Sequence, residues 1–178
     1  MPAWDLRAPK VGEQATDLDL LDESGRPVQL SALARRSPIL VLVFGGLDDA
    51  AGIRLLRDYR DTMLPVLRAG AFICAIGHAE PAALRYLRSQ RGFAFPMLSD
   101  ADGTALSRWG MLDRAGLFLL DRGLVVRQRA LGATLAPDAI LSFLRRGGAR
   151  RAKVKLRDRA LHFLQAIQHA FRPLRPVR

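Results

Sequence analysis

Two short apolar runs, each followed by a segment with helical spacing, constrain this chain more than anything else in it. "PILVLVF" (38–44) and "AFICAIG" (71–77) are continuous β-branched and apolar stretches, as expected of strands buried on both faces. Between them Ile53, Leu56, Tyr59, Met63 and Leu67 recur at helical spacing, which predicts a helix over about 50–69 that Pro65 kinks or breaks. After the second run, "EPAALRYLRSQRG" (80–92) carries Pro81 in a first helical turn and Gly92 just past the end. Strand, helix, strand, helix is the pattern of a right-handed parallel crossover.

The flanks extend this core. "DLDLLD" (17–22) alternates before the turn "ESGRP" and predicts a short strand or hairpin start, and "VQLSALARR" offers Ser31 as an N-cap. "FPMLSDADGTALSRWGM" predicts an extended piece, a turn and a short helix, and "GLFLLDRGLVVRQRALG" (116–132) a β-hairpin around "DRG". "TLAPDAILSFLRR" predicts a last helix, capped near Thr134 and stopped by Gly147 and Gly148. The glycine pair divides the chain into a body, 1–146, and a tail, 147–178.

Charge falls along the same division. The 178 residues carry a formal net +11. From Arg145 onward there are eleven Lys/Arg and one acid, Asp158, so that +10 sits there and +1 on the preceding 144 residues. A nearly neutral body with a basic tail points to an acidic partner, nucleic acid or an anionic membrane surface. Within the tail, Leu156, Ala160, Phe163, Leu164, Ile167, Ala170 and Phe171 form one stripe at helical spacing, opposite Asp158, His162, Gln165 and His169. The candidate partner-binding residues are Arg150, Arg151, Lys153, Lys155, Arg157, Phe163, Ile167 and Phe171. The polar face holds Gln and His instead of the Lys/Arg of a membrane-surface helix, which favours packing on the body or on a second copy.

Cys74 is the single cysteine, so no internal disulfide or CxxC pair exists within this sequence. The first ten residues lack the apolar stretch of an export signal, and no uncharged run reaches the ~20 residues that span a bilayer. The expectation is a cytoplasmic protein. "FGGLDDAAG" matches neither common nucleotide-binding glycine motif, and two aspartates there would repel phosphate. "DADG" (100–103) starts like a calcium loop, but its twelfth position is Met111. His162 and His169 stand too far apart for one metal, and His78 reads as a solvated loop residue, with an acid–base or ligand role as the alternative. Neither metal nor cofactor is expected.

Three segments, in order, resemble the peroxiredoxin family, the alkyl hydroperoxide reductase and thiol-specific antioxidant group. They are "PKVGEQATDLDLLDESGRPVQLSALARRSPILVLVF", "FAFPMLSDADGTALSRWGM" and "LFLLDRGLVVRQRALG", and the resemblance as a whole spans about 9–145. The resemblance implies an α/β fold: a thioredoxin-like three-layer sandwich with a mixed central sheet flanked by helices, here with a C-terminal amphipathic helical tail. It also implies a peroxidatic cysteine in the first turn of the helix after the first core strand, at Gly52, with a cysteine or threonine three residues earlier, at Asp49. An arginine is implied three residues before the Phe of "LFLLD", where Ala115 stands and Arg114 is one residue short. A one-residue shift within a strand would turn Arg114 to the other face.

Asp48 and Asp49 read as N-cap residues, and their charge opposes a thiolate. Cys74, mid-strand, reads as a core residue. The sequence therefore favours a degenerate, non-catalytic binding or assembly subunit whose tail engages an acidic partner protein or larger complex, with a homodimer as a further option. A divergent thiol oxidoreductase or peroxidase using Cys74 or a partner's thiol is the enzyme alternative. Attachment to nucleic acid or an anionic membrane through the tail is the third.

Overall fold

The computed structural model describes residues 8–132 and 135–147. The two apolar runs become β3 (Ile39–Phe44) and β4 (Phe72–Gly77), paired in parallel from Ile39↔Phe72 to Phe44↔Gly77. Around them lie β1 (Asp19–Leu21), β2 (Pro27–Gln29), β5 (Met97–Ser99), β6 (Gly116–Leu120) and β7 (Val126–Leu131). The seven strands form one mixed sheet in the order β2-β1-β5-β4-β3-β6-β7, with β3, β4 and β5 parallel and the other pairings antiparallel.

The period-two alternation of β3 builds the layers on either side. Leu40, Leu42 and Phe44 pack with residues of α2 (Ala50–Asp58), α3 (Met63–Arg68), α4 (Pro81–Arg91) and α6 (Pro137–Gly147). Ile39, Val41 and Val43 pack on the other side with α1 (Leu30–Ala34), α5 (Thr104–Arg108) and the segment leading into β1. This is the expected three-layer sandwich.

Local differences from the sequence reading have identifiable causes. The single helix over 50–69 is instead α2, a 3-10 turn at Arg60–Thr62 and α3. Pro65 sits in the first turn of α3, where its missing N–H is tolerated. Its ring excludes a helical carbonyl four residues upstream, so the break falls at 59–62, where Thr62 Oγ1 donates to the Tyr59 carbonyl at 2.6 Å. Ser31 is not the N-cap of α1. Gln29 holds that position without a side-chain bond, and the Asp17 carboxylate accepts from the Ser31 N–H at 2.9 Å. Of the two aspartates before α2, Asp49 alone is its N-cap.

Other turns follow the reading. Gly92 ends α4 in the left-handed region, φ 66°, where a side chain would be strained. The "DADG" segment is a structural turn: buried Asp100 accepts from the Ala105 and Leu106 N–H groups at 3.1 and 2.7 Å and so anchors α5. Thr134, the expected cap of the last helix, and the tail from 148 onward lie outside the described residues.

The hairpin of β1 and β2 is pinned from its tip. Glu23 is 5% exposed, and its Oε1 lies 2.9 Å from Arg88 Nε on α4 while accepting from the Met97 N–H of β5 at 3.1 Å. One carboxylate thus ties three elements at the sheet's β5 side.

Candidate functional site

The loop from Gly45 to Asp49 joins the C-terminal end of β3 to the first turn of α2, which is where the family resemblance places its chemistry. Asp49 organises this loop completely. Its Oδ1 accepts from the N–H groups of Ala51 and Gly52 at 3.1 and 3.0 Å, and its Oδ2 accepts from the Gly45 N–H at 2.8 Å. The free donors and partial positive charge of a helix N-terminus favour an anion. Here the chain's own carboxylate is that anion.

Gly52 lies buried directly beneath it. A Cβ added there would collide with both the Cβ of Phe44 and Oδ2 of Asp49. Phe44 Cβ sits on the rigid backbone of β3, so the collision has no flexible side chain to absorb it. Position 52 therefore lacks a thiol and the room for one. Asp48, beside it, is exposed and makes no cap.

Ala115 and Arg114 are not strand residues, which corrects the argument from strand alternation. β6 begins at Gly116, opposite Val43, and both residues lie in the turn before it. The Arg114 N–H donates to the Met111 carbonyl, and the Ala115 carbonyl accepts from Gly132. This turn nonetheless borders the β3–α2 loop, because a Cβ on Gly45 would lie 2.5 Å from backbone atoms of Asp113. Asp49, Gly52 and Ala115 thus gather at one end of the sheet, while the side chain implied at 115 is only a methyl group.

Cys74 lies elsewhere. It pairs with Val41 in mid-sheet and packs among Leu106, Trp109 and Phe118, in the layer of α1 and α5 and away from α2. It is fully buried, and desolvation pushes its thiol up to about 12. Only the thiolate reacts, and burial disfavours it at Cys74. Alkylation by iodoacetamide at pH 8 is expected to be negligible in the folded protein and complete in denaturant; prompt labelling without unfolding would contradict this placement.

One pair at the site was not legible in advance. His78, in the loop after β4, has Nδ1 3.1 Å from Asp113 Oδ1, so it is partnered and not simply solvated. Asp113 holds φ at 55°, a left-handed conformation that aspartate tolerates. Thirty-five residues separate the two, and no local pattern links them.

Among the described residues, no group of three or more His, Cys, Asp or Glu side chains is arranged to hold a metal, and no helix is long and apolar enough to cross a membrane. Arg150, Arg151, Lys153, Lys155, Arg157, Phe163, Ile167 and Phe171 all lie outside the described residues, as do His162 and His169.

The sheet order and its flanking helices define a thioredoxin-like fold. The model of the AhpC/TSA family matches residues 11–129, and the chain belongs to that family. A Mycobacterium tuberculosis (strain H37Rv) protein named as a peroxiredoxin is 28% identical over 99 residues, which are 56% of this chain and 62% of that one. The chain thus spans under two thirds of that relative's length.

Among solved structures, the peroxidoxin BcpB of M. tuberculosis superposes with a TM-score of 0.70 at 22% identity, over 81% of this chain and 99% of that one. The thiol peroxidase of Chromobacterium violaceum gives 0.66 at 20% identity, over 79% and 88%. At these identities the likeness is one of fold. With Cys74 the single cysteine and glycine at position 52, the chain fits a member that lacks the catalytic cysteine.

Proposed function

We propose that this protein is a non-catalytic binding or assembly subunit, in which the peroxiredoxin fold is a scaffold and the basic tail engages an acidic partner protein. The observation that carries the reading is the closed loop at Asp49 and Gly52. The anion position is filled by a carboxylate, and the nucleophile position has no space for a Cβ. Cys74 does not support the enzyme alternative, since it is buried on the other side of the sheet from α2. What remains distinctive is the tail, with +10 of the chain's +11 from Arg145 onward.

Affinity capture with the full chain tests this directly. A specific acidic protein is expected to be retained, to elute as salt rises, and to be lost when Arg150, Arg151, Lys153, Lys155 and Arg157 are all changed to Glu. Retention that ignores the charge reversal would overturn the role given to the tail. Binding of duplex DNA or anionic vesicles in place of a protein would replace the partner class.

A further inference from the structure

We propose that the apolar groove along α4 is covered by the chain's own C-terminal segment, residues 156–171, seated through its apolar stripe. The groove is about 690 Å³ in volume. Leu47 of the β3–α2 loop, Ala82, Ala83, Tyr86, Leu87 and Arg91 are among the residues that line it. Tyr86 is 67% exposed and Leu47 46%. An exposed aromatic and an exposed aliphatic side chain lining one open groove are a surface that calls for cover.

Three observations select this occupant. First, α6 and α4 lie on the same side of the sheet, since Ile140, Leu141 and Leu144 share one cluster with Leu84. α6 ends at Gly147, with 31 residues still to follow. Residues 148–155, extended at ~3.3 Å each, span ~26 Å. Two helix-to-helix spacings of ~10 Å are within that reach.

Second, the stripe fits in size and chemistry. As a helix the segment is ~24 Å long and α4 ~17 Å, so Leu156, Phe163, Leu164, Ile167 and Phe171 run the full groove. Third, charge complements at one end. Asp48 and Glu80 are exposed beside Leu47 and Ala82, and Arg157 and Arg159 flank the stripe at helical spacing. The cover uses Arg157, Phe163, Ile167 and Phe171, which are also named for partner binding, and leaves Arg150, Arg151, Lys153 and Lys155 outside the stripe.

The chain carries two tyrosines, and Tyr59 is fully buried, so nitration by tetranitromethane reports on Tyr86 alone. In the full chain at low concentration, Tyr86 is expected to be nitrated about tenfold more slowly than in Phe163→Glu/Ile167→Glu, the shift for a cover in place nine-tenths of the time. Ala83→Arg, which changes the groove wall and leaves the tail intact, should give the same acceleration. An unreactive Tyr59 in each variant reports that the body is folded. Equal rates in all three proteins would overturn the proposal. So would protection that disappears on dilution, because the cover would then be a second copy.

Discussion

Gly52→Ala is expected to destabilise this protein, although glycine to alanine in a helix ordinarily gains about 1 kcal/mol. The sign reverses because the new Cβ would collide with Phe44 Cβ and Asp49 Oδ2. Overpacking of this kind costs about 2 kcal/mol net, or a fall of about 6 °C in Tm for a domain of this size. Gly52→Cys should lose at least as much and should not gain peroxide consumption, since the Asp49 carboxylate beside position 52 opposes a thiolate. Adding Asp49→Ala relieves one collision, but it leaves three backbone N–H groups without their acceptor and does not move Phe44. The double variant is therefore expected to melt no higher than Gly52→Cys. Thermal denaturation of the three variants would contradict this packing if Gly52→Ala melted above the parent.

The second large effect belongs to Glu23, at the tip of the β1–β2 hairpin. Glu23→Ala removes the carboxylate that joins the hairpin tip to Arg88 and the Met97 N–H. Breaking a buried pair from one side costs about 3–5 kcal/mol, and we expect the lower end because Arg88 keeps 21% of its side chain exposed. Denaturant unfolding measures this, with Glu23→Gln losing much less because its amide oxygen still accepts from Met97.

The pH dependence has a defined sign. Desolvation pushes the Glu23 carboxyl above its ordinary value, outweighing the attraction of Arg88. The stability it contributes is fully present below the unfolded carboxylate pKa and declines as pH rises through the raised folded value. Parent and Glu23→Gln should therefore converge in stability across that window; a gap that widens with rising pH would contradict the burial.

Much of the fold was legible because it rests on local pattern. The apolar runs of β3 and β4 need no partner to be recognised, and Pro81 and Gly92 mark the ends of α4 by their own backbone restrictions. What escaped the sequence depends on contacts across long separations. Asp17 supplies the bond to the start of α1 from fourteen residues away, which no inspection of Ser31 reveals. The helix over 50–69 breaks a turn before Pro65 because the proline acts on the carbonyl behind it.

The site divides in the same way. Glycine at 52 and alanine at 115 could be read from the motifs, and so could the capping role of Asp49. The lack of room at position 52 could not, because it depends on where Phe44 Cβ lies above the first turn of α2. The third hydrogen bond of Asp49, to Gly45, and the pairing of His78 with Asp113 likewise arise only when separate loops meet.

Hydroperoxide consumption by the purified full chain, with a thiol reductant, tests the central claim most directly. The closed loop and the buried Cys74 lead us to expect no turnover of hydrogen peroxide or an alkyl hydroperoxide above the reductant-only control. Turnover that disappears in Cys74→Ser would contradict the account.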